Sequence, residues 1–184
     1  MTSHTSYLFL LGSARQDGNT AQLARHAAAS LPASARQEWL YLPDYPLPPF
    51  LDIRHHATQT YVMPTGVEAE LLQRTLDADH LVFVLPLYWY SVPADAKRYL
   101  DYWSAWMRLP DVQFKARMAG KSLSVLTTVS DDDRAVAAPL VQSLQLTANY
   151  LHMRFHGAVV AMGNRPGDVL NDPQAMDAAG ALFA

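Results

Sequence analysis

Gly12-Ser13-Ala14-Arg15-Gln16-Asp17-Gly18-Asn19-Thr20 joins two segments of opposite character. Before it stands Tyr7-Leu8-Phe9-Leu10-Leu11, a continuous apolar run of the length and kind that a strand buried on both faces needs. After it, Ala24, Ala27, Ala28 and Leu31 recur at helical spacing, and Pro32 stops the pattern. A strand, a small polar loop and a helix start make a natural anion site, because the first N–H groups of a helix have no partner within it. Ser13, Asn19 and Thr20 add side-chain donors, and Arg15 adds a charged fork. Asp17-Gly18 is a turn signal, and Asn19 with Gln22 reads as a capping box. The loop has no Gly-Lys-Ser/Thr, which argues against triphosphate hydrolysis, and no Gly-x-Gly-x-x-Gly. Its donors suit one terminal phosphate better than a pyrophosphate. By itself it could equally be a well-capped connection.

Working outward, the chain alternates strands and helices. Gln37 to Leu42 reads as a second strand, Gly66 to Leu76 as a helix, and Leu81 to Leu85 as a third strand ending at Pro86. A helix follows Pro93, then a connection over Arg108 to Ala119. Ser122 to Val129 and Phe155 to Met162 are the last strands. They enclose a helix marked by Leu140, Leu144, Ala148 and Leu151, and a short final helix starts at Asp172-Pro173. This pattern predicts an α/β three-layer sandwich over 1–184 as one domain, with a five-stranded parallel sheet in the flavodoxin-like order 2-1-3-4-5. Ligands of such sheets lie at the carboxyl ends of the strands, where the order reverses. The loops there are Gly12 to Thr20 and Pro86-Leu87-Tyr88-Trp89-Tyr90-Ser91, with Thr127 to Asp131 beside them. Three aromatic residues at that edge call for a planar partner. Phosphate donors at one end and an aromatic loop at the other match flavin mononucleotide (FMN).

Composition narrows the classes. The chain has 184 residues and a net charge of −3, with no basic cluster to hold nucleic acid. Its apolar runs are too short to span a bilayer. The absence of cysteine excludes disulfides, thiolate metal sites and cysteine nucleophiles, and fits a cytoplasmic enzyme. His55-His56 has no carboxylates at ligand spacing, so no metal site is expected. Pro43, Pro46, Pro48 and Pro49 open a long connection that runs to about Pro64. Its apolar content marks a lid or binding loop, with Tyr45 and Phe50 as covers for the acceptor site. On the helix after Pro93, the residues Ala96, Tyr99, Leu100, Trp103 and Met107 form the core stripe. Tyr102 and Trp106 widen it into a surplus face, expected to meet a second copy of the chain.

Two of these stretches carry a resemblance. Gly12 to Ala21 resembles the first motif of the NAD(P)H-dependent FMN reductase and quinone oxidoreductase family. Pro86 to Ala94, with Lys97 and Asp101, is similar to its second motif. The nearest branch includes quinone reductases that serve as ancillary subunits of potassium efflux systems. The resemblance implies a flavodoxin-like fold, non-covalent FMN, NAD(P)H as cosubstrate, a small-molecule acceptor and a homodimer. By it, Ser13, Arg15, Asn19 and Thr20, with Gly18 at the turn, hold the phosphate. Pro86, Leu87, Tyr88, Trp89 and Tyr90 line the isoalloxazine, and Thr128, Val129 and Ser130 border its pyrimidine side. Many members carry glycines in that last loop, whereas this chain continues into Asp131-Asp132-Asp133. Acids there would oppose a reduced, anionic flavin, so they are expected to turn away and cap the next helix. Hydride exchange needs no side-chain acid or base, and no catalytic residue is assigned. An electron carrier, a regulatory subunit of a membrane protein and a flavin-free sugar-phosphate enzyme remain as rival readings.

Overall fold

The computed structural model describes residues 4–184. Five parallel strands form one sheet in the order β2-β1-β3-β4-β5. They are β1 (Ser6–Leu11), β2 (Arg36–Tyr41), β3 (His80–Pro86), β4 (Ser122–Val129) and β5 (Arg154–Met162). The helices are α1 (Asn19–Ala28), α2 (Gly66–Asp77), α3 (Ala94–Trp106), α4 (Phe114–Met118), α5 (Ala138–Tyr150) and α6 (Pro173–Ala181). The predicted order and strands are therefore present, with ends shifted by a residue or so. The connection expected over Arg108 to Ala119 contains α4, a helix too short to leave a periodic signature.

Strand alternation explains the two cores. Leu8, Leu10, Phe83 and Leu85 face α2, α3, α4 and α5, and pack on Tyr99, Trp103 and Leu144. Phe9, Leu11, Val82, Val84 and Leu126 face α1 and α6. The alanines of α1 and α6 let those helices lie close to the sheet and to each other. All seven residues of β3 are buried, as a central parallel strand requires.

Two features position the carboxyl edge. A Cβ on Gly12 would stand 2.7 Å from Leu85 Cδ2 and 3.1 Å from the Ala96 Cβ, so β1 leaves the sheet tight against β3 and the start of α3. The sheet hydrogen bonds also continue beyond the strands. The N–H groups of Gly12, Leu87 and Gly163 donate to the carbonyls of Val84, Thr128 and Val129, at 3.1, 3.0 and 2.9 Å. Four loops are thereby clamped side by side.

The surplus aromatic face of α3 does not exist. Trp106 is fully buried and donates its Nε1–H to Glu68 Oε1 at 3.0 Å. Tyr102 donates its hydroxyl to the carbonyl of Pro48 at 3.1 Å and meets the Phe50 ring edge-on. The proline-rich connection covers Tyr102, with Phe50 against α3, while α2 covers Trp106 through Glu68. Tyr45 lies under the Arg74 guanidinium, 5.6 Å from ring centre to carbon. The apolar side of α3 left open is the one carrying Leu100 and Met107, which faces α5 across a groove.

Candidate cofactor site

The loop entering α1 is built to offer donors. Gly18 takes the cap position in extended geometry, no side chain caps the helix, and no acid occupies its first turn. The first N–H groups of α1 therefore point outward with their partial positive charge uncompensated. Ser13 is nearly buried, and its Oγ accepts the Arg15 N–H at 3.1 Å, which folds the loop back on itself. The Arg15 side chain is exposed, and none of the ion pairs among the described residues uses it.

The expected capping box is absent. Asn19 is the first helical residue rather than the cap, and Gln22 donates to the Asp17 carbonyl instead. The Asn19 side chain reaches the loop after β5. Its Nδ2 donates to the Arg165 carbonyl and its Oδ1 accepts the Gly167 N–H, both at 2.9 Å. Thr20 is buried too, and its hydroxyl shares a hydrogen with that of Thr128 at 2.7 Å. That bond pins the start of α1 to the end of β4.

The loop after β3 closes on itself. The Ser91 N–H donates to the Tyr88 carbonyl at 3.1 Å, and the two residues form an antiparallel bridge. Trp89 and Tyr90 between them both have positive φ, 49° and 61°. This is the type I′ pattern, which Asn-Gly fills without strain. Two large aromatic residues there each cost about 1–2 kcal/mol. Trp89 is 93% exposed, Tyr90 57% and Tyr88 42%. Strain and wet aromatic surface thus coincide on one turn, a combination that marks functional sites. The neighbouring Tyr41 hydroxyl is pushed above its ordinary range by burial, then by Asp44, Asp95 and Tyr88, so it stays protonated.

Beyond β4, Ser130 is exposed at the edge, whereas Val129 is buried in the core beneath it. The acidic run turns aside as expected. Asp133 caps a 3-10 turn at Arg134–Ala137 by accepting the Ala135 N–H at 2.8 Å, and Asp131 accepts the Asp133 N–H.

These elements meet around a cavity of about 200 Å³. Ser13, Arg15, Gly18, Asn19 and Thr20 form one wall. Pro86, Leu87 and Tyr88 form the second, and Thr128 and Ser130 the floor. Of the sequence-predicted residues, Val129 lies under the cavity, and Trp89 and Tyr90 project from its rim without lining it. Gly163 and Asn164 form a wall that sequence reasoning missed. Their turn was legible as a loop, but the assignment of Asn19 as a cap left nothing to tie it to α1. No carboxylate lines the cavity, so its donors fit a dianionic phosphate. The volume is below the ~300 Å³ of a usual small-molecule pocket, so a tricyclic ring would have to lie outside it, toward the open turn.

The NADPH-dependent FMN reductase family model matches residues 5–167. The Bacillus subtilis protein YwqN, described as an NAD(P)H-dependent FMN-containing oxidoreductase, is 34% identical over 174 residues, which is 94% of this chain and 93% of that one. Among solved structures, the Trp repressor binding protein of Bacillus subtilis superposes with a TM-score of 0.76 at 28% identity, covering 97% of each chain. An FMN-dependent NADH-azoreductase of Bacillus anthracis, solved with FMN, has a TM-score of 0.68 at 17% identity, covering 98% of this chain and all of that one, which is a likeness of fold.

Proposed function

The chain belongs to the NADPH-dependent FMN reductase family, and from that premise we propose that it passes hydride from NAD(P)H, by way of bound FMN, to a quinone or a similar small acceptor. It is an FMN-dependent NAD(P)H oxidoreductase. The observation that carries the finer reading is the junction of a carboxylate-free donor cavity with a strained aromatic turn. Bound FMN supplies the centre that accepts and returns hydride.

The chain's residues bind and position. We assign the phosphate to the open N–H groups of α1, the Ser13 hydroxyl and Arg15, a set whose charge complements a dianion. The Thr20 and Thr128 hydroxyls bond each other, a strut that holds the α1 wall at a set distance from the β4 floor, and the one that accepts keeps its hydrogen for the phosphate. The backbone of Leu87 is fixed by Thr128, which holds the ring-side loop in register with the phosphate side. Tyr88, Trp89 and Tyr90 supply flat apolar surface for the ring, the nicotinamide and the acceptor, which use the open side in turn. Use of a nicotinamide cosubstrate supports a cytoplasmic location. No helix among the described residues is long and apolar enough to cross a membrane.

We also assign the chain to a homodimer, across the α3–α5 groove rather than the Tyr102/Trp106 face. That groove holds about 470 Å³, with Leu100 and Met107 on one wall and Leu146 and Tyr150 on the other. Leu146 and Tyr150 are 68% and 59% exposed, a large apolar surface to leave in water.

Near-ultraviolet and visible absorbance of the purified protein tests the cofactor, with FMN added if it is lost on purification. Steady-state oxidation of NADPH and NADH is then compared with a quinone, an azo dye and free FMN as acceptors. Turnover highest with the quinone is expected. Flavin binding without nicotinamide oxidation would reduce the protein to a carrier and overturn the reading.

A further inference from the structure

We propose that Asn164, in the loop between β5 and α6, is a further binding residue for the phosphate end of the cofactor. Asn19 serves it as a positioning residue, through a side-chain amide that holds the loop carrying Asn164. The inference rests on the FMN reading and extends it to a loop outside both sequence motifs.

Three observations carry it. First, the Asn19 amide ties α1 to this loop. It is 95% removed from solvent by its 5% exposure, and both its oxygen and its nitrogen bond the backbone of the 163–167 loop. On its other side a Cβ at Gly163 would stand 2.9 Å from Nδ2, so the loop backbone packs directly on the amide. Second, the loop is built from its far side as well. The Asp168 carboxylate accepts the N–H groups of Asn164 and Arg165 at 3.1 and 2.6 Å, and the Gly163 N–H donates to Val129. With its backbone tied at Gly163, Asn164, Arg165 and Gly167, the loop has a set path. Third, that path brings Asn164 to the same cavity as Ser13 and Arg15, while its backbone N–H is turned to Asp168. With its N–H used, the side-chain amide is the donor that Asn164 has left for the cavity, and a phosphate oxygen is an acceptor that suits it.

The test is equilibrium binding, read by quenching of flavin fluorescence, with FMN and with riboflavin, which has the ring and ribityl chain but no phosphate. Asn164→Ala is an exposed substitution and leaves folding intact, checked by thermal unfolding. It is expected to weaken FMN about tenfold, the loss of one charge-assisted hydrogen bond, and to leave riboflavin unchanged. Asn19→Ala is expected to weaken FMN at least as much, and the double variant no further than Asn19→Ala alone. If Asn19→Ala fails to fold, Gly163→Ala displaces the same loop from the other side and is expected to lose the preference for FMN over riboflavin. An unchanged FMN affinity in Asn164→Ala, or an equal loss for both ligands, overturns the assignment of Asn164. Additive losses in the double variant overturn the positioning role of Asn19. Wild-type protein that binds neither flavin overturns the FMN reading itself, an outcome distinct from these.

Discussion

Replacing His80 tests how the amino-terminal edge of the sheet is held together. His80 opens β3 and is 5% exposed. Its ring stacks on Tyr7 at 5.0 Å and meets Phe183 edge-on at 5.5 Å, and its Nε2 bonds Ser124 Oγ at 2.9 Å. His156 comes within 5.2 Å, ring to ring, because β5 carries one extra residue where its register against β4 slips after Leu123. Burial, then the charges of His156 and Arg154, push the His80 imidazole down from 6.5 to about 3. The folded protein thus holds this histidine neutral where the unfolded chain protonates it. The stabilisation is complete above the unfolded value and is lost as pH falls from about 6.5 toward 3. Between roughly pH 7 and pH 5 the unfolded chain binds on average about 0.7 more proton at this site, at about 1.4 kcal/mol per proton per pH unit, or about 2 kcal/mol in all. Urea unfolding followed by tryptophan fluorescence at those two pH values measures it. The His80→Gln variant keeps a donor for Ser124 and does not titrate, so it should lose about 2 kcal/mol less than wild type over the interval. Other groups titrate in both proteins and cancel. An identical pH dependence in the two proteins, or an NMR titration of His80 near its ordinary value, would refute the reasoning.

Other expectations concern the site and its frame. Gly12→Ala should cost about 1–3 kcal/mol by overpacking against Leu85 and Ala96, seen in denaturant midpoints, and should lower FMN occupancy because both loops move. Replacing Trp89 by Asn together with Tyr90 by Gly should raise stability by about 1–2 kcal/mol per residue as the turn relaxes, while KM for the acceptor rises. Unchanged kinetics would remove the turn from the acceptor site. The Asp172 carboxylate accepts the Met162 N–H at 2.8 Å, the Ala175 N–H at 3.1 Å and Arg134 Nη2 at 2.8 Å. Burial opposes its charge, but these bonds prevail and hold it below the usual carboxylate range. Its contribution is present at neutral pH and lost as pH falls through the lowered value, and Asp172→Asn should cost about 2 kcal/mol at neutral pH. If the proposed α3–α5 dimer forms, Leu146→Glu should make it monomeric in light scattering without a loss of thermal stability in the monomer, since Leu146 is 68% exposed in one chain.

Much of the candidate site was legible because its signals are local. Hydrophobic runs, the Pro86 stop and the polar stretch after β1 each lie within a dozen residues. The rule that ligands sit at the carboxyl ends then joins two such stretches. The misreadings share a different cause. Tyr102 and Trp106 are apolar at helical spacing, and periodicity reports that a face is covered but not by what. Their cover is a chain segment 54 residues away for Tyr102 and 38 for Trp106. Asn19 reads locally as a cap paired with Gln22, and it does not cap. Its partners stand 146 and 148 residues along the chain.

The sequence by itself therefore determined the layers, the strand order and the two loops that border the candidate cofactor cavity, because periodicity and turn chemistry act over short spans. Only the tertiary structure decided how polar side chains were spent. Asn19 holds a distant loop, Thr20 braces Thr128, and the proline-rich segment closes α3 while leaving its α5 side open. A hydrogen bond is allotted by proximity in space, and a buried amide or hydroxyl takes the partner that folding brings to it at the least cost in unmet bonds.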